Sequence, residues 1–368
     1  MDLEPLRAKI DEFDRRLVEL INERAKIVVE IGRAKLQAGE PIYAPHREAE
    51  VLARVQRFNA GPTLPKTIEA IYREIMSGSF ALEQPLRIGY LGPPGTYSHL
   101  AATRHFGSSV EFEDLHAITG VFEEVARGNV AYGLVPIENS TGGSITETLD
   151  AFLNYHRDVR LYGELQLAVH CCLLTNCQPH EVETIYGRPE TFAQCRNWLA
   201  TQYPRAELIA VESSAAACRK TRDAIDRGAE SGNPARVAAI GNALAGEIYG
   251  LHPLFDEIED RRNNVTRFLI LSQQETKPSG DDKTSIMFRT SDQPGALVDV
   301  LNVFKRAAIN LTHIDKCPSR TINWEYTFFV DAAGHCRDPK FAEIIGEARA
   351  VCKELFVLGS YPRSKQVL

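Results

Sequence analysis

Three cations on one long amphipathic stretch have a spacing that suits anion chemistry: Arg7, Arg24 and Lys35. Arg24 and Lys35 are 11 residues apart, close to three helical turns, so on a helix they share one face about 16 Å apart. Arg7 is 17 residues before Arg24 and therefore points elsewhere, about 25 Å away. One helix cannot present all three to one small anion, whereas antiparallel helices of a dimer can. For each cation alone, a solvated helix face remains the alternative.

A second group of residues combines glycine turns with hydroxyl and amide side chains. It comprises Gly92-Pro93-Pro94-Gly95-Thr96-Tyr97-Ser98, Glu138-Asn139-Ser140-Thr141-Gly142-Gly143-Ser144, Thr148, Gln194 and Thr266-Arg267-Phe268. Such turns expose backbone N–H groups and suit a carboxylate. The first turn has neither the spacing of a dinucleotide-binding fingerprint nor the Lys-Ser/Thr pair of a Walker A loop. The alternative for any single turn is that it only reverses the chain.

The residues before Pro85 are predicted to be helical throughout. Apolar residues recur at helical spacing, which predicts helices over about 4–38, 46–59 and 65–83, with Gly39 as the stop of the first. The first helix would be about 50 Å long. A helix of that length cannot bury its apolar stripe against two short neighbours of its own chain. We therefore expect an all-α unit that forms an intertwined homodimer.

After Pro85 the pattern changes to short strands that alternate with helical runs, up to about Ser272. Leu86–Gly92, Val130–Pro136 and Ala168–Leu174 are predicted strands, and the alternation favours an α/β unit of two lobes with a cleft between them. Residues 273–283 are polar, contain Pro and Gly, and are predicted to be a linker. The rest is predicted as strand 284–290, helix 294–307, strands 309–316 and 324–331, helix 338–352 and strand 354–358, the α+β ferredoxin-like order.

The overall composition excludes several classes of function. The net charge of −7 among 368 residues argues against nucleic acid as a partner. No apolar run is long enough to cross a bilayer, and the N-terminal residues lack the pattern of a secretory signal. The eight cysteines form no C-x-x-C pairs, so neither a metal nor another cofactor is expected, and the cytoplasm is the expected compartment.

The N-terminal strings Leu6-Arg7-x-x-Ile10-Asp11, Glu23-Arg24, Ile31-Gly32-Arg33-Ala34-Lys35 and Arg47-Glu48, with Ser79 and Glu83, resemble the all-helical chorismate mutases. The resemblance implies that Arg7 of the partner, Arg24 and Arg47 hold the two substrate carboxylates. It also implies that Lys35 donates to the ether oxygen, that Glu48 binds the ring hydroxyl, and that Ser79 assists a carboxylate. Many relatives have an aspartate where Ala44 stands and some a glutamine where Glu83 stands, so a catalytic Glu83 must hold a proton.

The central strings Gly92-x-x-Gly95-Thr96-Tyr97-Ser98, Val135-Pro136-Ile137-Glu138-Asn139-Ser140, Gly143-Ser144-x-x-x-Thr148-Leu149-Asp150 and Asn264-Val265-Thr266-Arg267-Phe268 resemble prephenate dehydratase. By that resemblance Thr266 assists the leaving hydroxyl, and Thr96 and Ser98 bind a carboxylate. The cleft would be lined by Asn139, Ser140, Ser144, Thr148 and Gln194. Arg267 is either a countercharge or a structural partner. Where relatives commonly have Tyr-Ser-His-Pro-Gln, this chain has Tyr186-Gly187-Arg188-Pro189-Glu190.

The last segment contains Asp292-Gln293-Pro294-Gly295-Ala296-Leu297, which resembles the ACT family of amino-acid-binding modules. The resemblance implies that Gly295, Ala296 and Leu297 approach a phenylalanine effector. A second family motif, Glu-Ser-Arg-Pro, corresponds to Asp315-Lys316-Cys317-Pro318, in which only the acid and the proline keep their character.

The order of the three segments, 1–84, 86–272 and 284–362, resembles that of bifunctional chorismate mutase–prephenate dehydratases. The resemblance implies conversion of chorismate to prephenate and then to phenylpyruvate, with phenylalanine as effector. Two alternatives remain: a dehydratase whose helical unit only dimerises, for which Ala44 is the best argument, and a solute-binding sensor without catalysis, since two-lobed α/β clefts also serve that purpose.

Overall fold

The computed structural model describes residues 3–318 and 326–368, and its first unit consists of helices. Their bounds are α1 (Glu4–Ala38), α2 (Pro45–Phe58) and α3 (Pro65–Glu83). A proline lies in the first turn of each helix, where a missing N–H breaks no hydrogen bond. Gly39 ends α1 in the left-handed conformation, with φ 65°. The predicted helices of this unit are confirmed.

The central part of the chain folds into two lobes, each built on its own sheet. The first lobe contains β1 (Arg87–Leu91), α4 (Tyr97–Phe106), β2 (Glu111–Leu115), α5 (Ile118–Arg127), β3 (Tyr132–Asn139), β4 (Gly143–Ser144), α6 (Thr146–Tyr155) and β5 (Arg160–Ala168). The second contains β6 (Cys172–Thr175), β7 (Thr184–Gly187), α7 (Pro189–Gln194), α8 (Arg196–Gln202), β8 (Glu207–Ala210), α9 (Ser214–Ser231), β9 (Val237–Gly241), α10 (Ala243–Tyr249) and β10 (His252–Phe255), with a 3-10 turn at Pro179–Glu181. The chain then returns to the first lobe through β11 (Val265–Ser272).

The strand order places the chain's two crossings between lobes at one edge of the first sheet. That sheet has the order β2-β1-β3-β11-β5, with β4 beside β3, and the second has the order β10-β6-β9-β7-β8. Strand β3 is parallel to β1, and β11 runs antiparallel to β3 and β5. The ends of β1, β3 and β5 and the start of β11 therefore meet at the same edge.

The predicted strand at residues 168–174 is wrong as a single element. Strand β5 ends at Ala168 and β6 begins at Cys172, so the residues between them carry the chain from one sheet to the other. Glu259, on the return crossing, holds this passage: its carboxylate accepts from the backbone N–H of Cys171 at 2.9 Å and contacts His170 Nδ1 at 2.9 Å. Apolar character alone could not show that this run changes sheets.

The C-terminal unit is a sheet with helices packed against it. Its elements are β12 (Asp282–Arg289), α11 (Ala296–Arg306), β13 (Leu311–Pro318), β14 (Tyr326–Ala333), α12 (Pro339–Ala350) and β15 (Glu354–Pro362). The strands pair antiparallel in the order β13-β14-β12-β15. The start predicted for the third strand, at residue 324, lies outside the described residues.

Tyr43, in the loop between α1 and α2, joins the helices to the first lobe. Its side chain is 1% exposed and packs edge-on against Phe106 and Tyr132. Its hydroxyl bonds His105 Nε2 at 2.7 Å, and its carbonyl accepts from the Tyr162 hydroxyl at 2.7 Å. Burial lowers the pKa of His105 to about 3, and Arg73 acts in the same direction, so this bond joins neutral groups. The helical unit is thus packed against the apolar core of the first lobe rather than attached to it only by a linker.

The first lobe and the C-terminal sheet share one apolar core, to which both contribute buried side chains such as Phe152, Leu269, Met287 and Leu358. The polar stretch 273–283 is therefore not a loose linker. Thr276 is 3% exposed, and β12 already begins at Asp282. Among the described residues, no helix has both the length and the apolar character needed to cross a membrane.

Candidate functional site

A cavity of about 540 Å³ lies among the three N-terminal helices and gathers most of the predicted residues of that unit. We call it the helical pocket. Its predicted members are Arg24, Lys35, Arg47, Glu48, Ser79 and Glu83, and Ala44 also lines it. Apolar side chains such as Val28, Ile31 and Met76 complete the wall. The pocket thus combines cations with an apolar lining, and walls of low polarity strengthen electrostatic contacts.

Lys35 and Glu83 form an ion pair inside the helical pocket. Lys35 Nζ donates to Glu83 Oε2 at 2.8 Å and to the Ile42 carbonyl at 2.9 Å, and the side chains are 23% and 6% exposed. The pair requires close approach of α1 and α3. A Cβ at Gly32 would lie 2.9 Å from Glu83 Cγ, so only glycine fits there. The sequence places these groups 48 residues apart, and the fold makes them neighbours.

The arginines of the N-terminal unit have different surroundings. Arg24 donates to the Ser79 hydroxyl at 2.7 Å, within the pocket. Arg47 pairs with Glu50 at 2.7 Å on the exposed side of α2 while lining the pocket. Arg7 lies outside it, exposed near the start of α1 and paired with Glu4 at 2.9 Å. Within one chain the structure therefore does not bring Arg7 to the other predicted residues.

Glu48 lies on the half-buried side of α2, facing α3. Burial raises the pKa of Glu48 to about 7; Arg73 opposes the rise and Glu69 adds to it. Burial thus brings the titration of this carboxyl from the acidic into the neutral range of pH. This makes Glu48 a titratable group in the working range of pH, with its proton state set by the packing of the pocket.

The second group of predicted residues meets at the edge of the first sheet. Thr96 follows β1 and caps α4, where its hydroxyl accepts from the His99 N–H at 3.3 Å. Asn139 ends β3, and Thr266 lies opposite it near the start of β11. In open α/β sheets this edge, beyond the carboxyl ends of the strands, is where ligands bind. We call Thr96, Ser98, Asn139, Ser140 and Thr266 the sheet-edge cluster.

Asn139 organises the sheet-edge cluster through both ends of its amide. Its Oδ1 accepts from the backbone N–H groups of Thr141 and Gly142 at 3.0 and 2.9 Å, which fixes the orientation of the amide. Its Nδ2 then donates to Thr266 Oγ1 at 2.9 Å and to Asn264 Oδ1 at 2.8 Å. Because Thr266 Oγ1 already accepts a hydrogen bond, its own O–H is free to donate elsewhere.

Asn264 is a candidate site residue that sequence reasoning did not single out. Its side chain is 3% exposed, and its Nδ2 has no hydrogen-bond partner among the described residues. A buried donor without a partner costs free energy unless a ligand uses it. The sequence shows that Asn264 lies two residues before Thr266. Only the structure shows that its Nδ2 is buried without a hydrogen-bond partner.

Three further predicted residues have other surroundings, although Ser144 lies in β4, where it pairs with Glu138 of β3. Thr148 is fully buried and donates to the Pro136 carbonyl at 2.5 Å. Ser144 donates to Asp315 of β13, and Gln194 ends α7 in the second lobe. Ser140, by contrast, belongs to the cluster: its hydroxyl accepts from the Val265 N–H at 3.0 Å.

Arg267 points into the interface with the C-terminal sheet. Its Nε donates to Glu164 at 2.8 Å, and its Nη2 donates to Asp331 at 2.5 Å and to the Tyr361 hydroxyl at 3.1 Å. Lys283 adds a second cation to Glu164 at 2.9 Å. This geometry favours the structural alternative stated for Arg267 over that of a substrate countercharge.

The predicted effector residues occupy two places in the C-terminal unit. Gly295, Ala296 and Leu297 line a cavity of about 230 Å³ together with aromatic side chains of β14. Gly295 has φ 87°, a conformation that strains other residues. Asp315 and Pro318 belong instead to β13, where Asp315 contacts Ser144 and His313.

Family models match two consecutive parts of the chain. One, described as Chorismate mutase type II, matches residues 6–84, and the other, Prephenate dehydratase, matches residues 88–276. A protein of Stutzerimonas stutzeri described as "Bifunctional chorismate mutase/prephenate dehydratase" is 42% identical over 369 residues, covering 98% of both chains. The Escherichia coli K12 protein of that description is 30% identical and covers 98% of this chain and 96% of its own. The chain belongs to the bifunctional chorismate mutase/prephenate dehydratase family.

Solved structures with a similar fold cover about three quarters of the chain. A prephenate dehydratase of Arthrobacter aurescens in complex with L-Phe has a TM-score of 0.68 at 27% identity, covering 77% of this chain and 92% of its own. A protein described as a novel type of quorum quenching acylase has a TM-score of 0.67 at 26% identity, covering 76% and 98%. The fold alone thus does not fix the reaction; the full-length relatives do.

The raised pKa of Glu48 predicts how stability changes with pH. Between about pH 4.5 and 7 the folded protein keeps a proton that the unfolded chain has lost, so this stabilising contribution decreases over that range and is gone once the pH has risen through 7. In Glu48→Gln the fall in the free energy of unfolding between pH 4.5 and 7 should be smaller than in wild type by about 1–3 kcal/mol. Unfolding midpoints measured from pH 4.5 to 8 would show it.

Glu50→Gln is the matched control for this measurement. Glu50 is exposed on the same helix, and its hydrogen bond with Arg47 lowers its pKa, the opposite sign. If Glu48→Gln and wild type lose stability in parallel over this range of pH, the assignment of Glu48 as a buried titrating acid is wrong.

Proposed function

We propose that this enzyme rearranges chorismate in the helical pocket, converts prephenate to phenylpyruvate at the sheet-edge cluster, and is inhibited by phenylalanine bound to its C-terminal unit. The corresponding domains would be 1–84, 86–272 and an ACT domain of ferredoxin-like topology at 284–362. The observation that carries the proposal is the single cavity that holds Arg24, Lys35, Arg47, Glu48, Ser79 and Glu83. None of the eight cysteines, all of which lie in the described residues, forms a disulfide, which supports a reducing cytoplasm as the compartment.

The first reaction suits a site of fixed charges without a nucleophile. Chorismate carries two carboxylates, and its rearrangement breaks a C–O bond and makes a C–C bond with no atom gained or lost. Arg24 and Arg47 would hold the carboxylates and so select the compact conformer. Lys35 uses two of its three N–H groups for Glu83 and the Ile42 carbonyl, and would donate the third to the ether oxygen, where negative charge develops. Glu83, as the carboxylate partner of Lys35, would hold that ammonium group in position.

The apolar face of α1 supports a homodimer. Along it, side chains including Leu6, Ile10, Phe13, Leu17 and Leu20 are 50–61% exposed in the single chain. Exposed apolar surface of this extent marks an interface. A second copy of α1, packed antiparallel, would cover the face and bring the partner subunit's Arg7 towards Arg24. Each helical pocket would then be completed by its neighbour.

Mixed dimers test this arrangement. Arg7→Ala and Arg24→Ala should each nearly abolish mutase activity alone, because every site lacks one arginine. Co-expressed, the two variants should recover about a quarter of wild-type activity, because half of the dimers are mixed and each has one intact site. Chorismate consumption by the purified mixture is the measurement.

A second mixture provides the control. Arg24 and Lys35 come from the same subunit, so Arg24→Ala mixed with Lys35→Ala should recover nothing. Equal recovery in both mixtures, or in neither, would contradict the shared site.

The second reaction requires a donor on a departing hydroxide. Prephenate loses carbon dioxide and its ring hydroxyl as the ring becomes aromatic, and the leaving oxygen must be assisted as its bond breaks. Thr266 is suited to this because Asn139 Nδ2 donates to its oxygen at 2.9 Å and leaves its O–H free. The unpartnered Nδ2 of Asn264 offers a further donor. Thr96 and Ser98, beside the N-terminus of α4, would bind a carboxylate.

Asn139→Asp tests the direction of this hydrogen bond. An aspartate can only accept from Thr266, so the threonine O–H would turn away from the substrate. Dehydratase kcat should fall about 100-fold or more, as for loss of a transition-state donor. Mutase activity of the same preparation should not change. Asn176→Asp, which alters an exposed amide that donates to the Gly250 carbonyl, is the control. Near-normal turnover by Asn139→Asp would refute the assignment.

Two features support regulation by phenylalanine. The cavity at Gly295–Leu297 is lined by Tyr326 and Phe328, which suit an aromatic ligand. Asp315, in the second effector motif, accepts a hydrogen bond from Ser144 of the dehydratase part. His313 lies between Asp315 and Glu138, 3.2 and 3.5 Å from their carboxylates. An effector that moves β13 would therefore act on the loop that follows β3.

Asp315→Ala should weaken this coupling. Without the carboxylate, movement of β13 no longer reaches Ser144, so inhibition by phenylalanine should weaken about fivefold or more. Dehydratase rates over a series of phenylalanine concentrations are the measurement. Asp281→Ala, which removes an exposed acid paired with Lys365, is the control. Identical inhibition curves for Asp315→Ala and wild type would exclude this route.

A further inference from the structure

The helical pocket has a wall that does not come from the helices. Besides the N-terminal residues, it is lined by Glu275, Thr276 and Lys277 of the polar segment after β11, and by Arg337 of the C-terminal unit. Nothing in the resemblance to chorismate mutases assigns a role to this wall, since those residues lie outside the 6–84 match. The helical pocket is therefore bounded by residues that follow the sheet-edge cluster in the sequence.

This wall is fixed in place by both neighbouring units. The hydroxyl of buried Thr276 donates to the Ser360 carbonyl of β15. Glu275 pairs with Arg337 at 2.9 Å, and Gln273 donates to the Ala126 carbonyl of α5 at 2.7 Å. Lys277 thus extends from a segment with a defined position.

Lys277 connects this wall to the loop that follows α1. Its Nζ lies 2.9 Å from Glu40 Oε1, and their hydrogen bond lowers the pKa of Glu40. Glu40 donates its backbone N–H to the Lys35 carbonyl at 2.9 Å, and Ile42, in the same loop, accepts from Lys35 Nζ at 2.9 Å. The ion pair therefore holds the loop whose carbonyl directs the ammonium group of Lys35.

We propose that Lys277 is a positioning residue of the mutase reaction, which holds the loop after α1 through Glu40 and thereby directs Lys35 into the helical pocket. The inference rests on the role proposed above for Lys35. It makes mutase activity dependent on the C-terminal unit, because Thr276 anchors the segment to β15. An anchor that shifts on effector binding would reach both active sites.

The expected effect is on rate rather than on folding. Both partners are more than half exposed, and pairs of that kind contribute little to stability. A small misplacement of a catalytic group, by contrast, lowers the rate substantially. Lys277→Ala should therefore lower mutase kcat about tenfold with little change in KM. Lys277→Arg, which keeps the charge, should recover most of the loss.

Because both activities are measured on the same full-length enzyme, dehydratase activity is an internal control for the Lys277 variants. Dehydratase activity on prephenate should be unchanged in each Lys277 variant. Lys365→Ala removes another exposed lysine, paired with Asp281 at 2.8 Å, and should leave both activities unchanged. Wild-type mutase kinetics in Lys277→Ala would overturn the proposal.

A charge exchange separates positioning from direct substrate binding. Glu40→Lys and Lys277→Glu should each impair mutase turnover, and the double variant should recover it because the ion pair is restored with its charges reversed. If Lys277 instead bound a substrate carboxylate, the double variant would stay impaired with a raised KM, and the proposal would be wrong.

Lys35→Ala, assayed in parallel, separates this inference from the proposed function. If Lys35→Ala retains mutase activity, the role of Lys35 itself fails. If Lys35→Ala is inactive while every Lys277 variant behaves as wild type, only the positioning role fails.

Discussion

The ion pair between Lys35 and Glu83 is the interaction on which the helical pocket depends. Its partners come from α1 and α3, and Gly32 allows these helices to approach closely enough for the pair to form. A cation held by a carboxylate before substrate arrives needs little reorganisation when charge develops on an oxygen. The same pair would be costly if either partner were buried alone. The packing of α1 against α3 therefore determines the geometry of the charged groups in the helical pocket.

The other contacts show that the three parts of the chain form one packed body. Tyr43 is buried between the helices and the first lobe, and Arg267 bridges Glu164 to Asp331 of the C-terminal sheet. Arg267 directly follows Thr266, so the strand that carries the proposed dehydratase donor is held from the C-terminal side. Lys277 makes a comparable connection to the helical pocket. These contacts give the C-terminal unit a physical route to each site.

Sequence patterns predicted correctly those elements that depend on residues close to one another along the chain. The bounds of α1 follow from apolar periodicity and from Gly39, and the family strings located Thr266. The sequence could not show that residues 168–174 change sheets, because an apolar run looks the same in either case. Nor could it show that Arg267 faces an interface, since polar partners such as Asp331 are distant in sequence. No sequence pattern indicated a role for Lys277, because that role depends on its contact with Glu40, which is distant in sequence.

We infer that one chain carries two separate active sites, one at Lys35 and one at Thr266. The most direct measurement follows chorismate loss and phenylpyruvate gain by absorbance for Lys35→Ala, Thr266→Ala and their mixture. Lys35→Ala should use only prephenate, Thr266→Ala should stop at prephenate, and the mixture should convert chorismate to phenylpyruvate. If either variant lost both reactions while remaining folded, or kept both, the two reactions would not occur at separate sites built on Lys35 and Thr266.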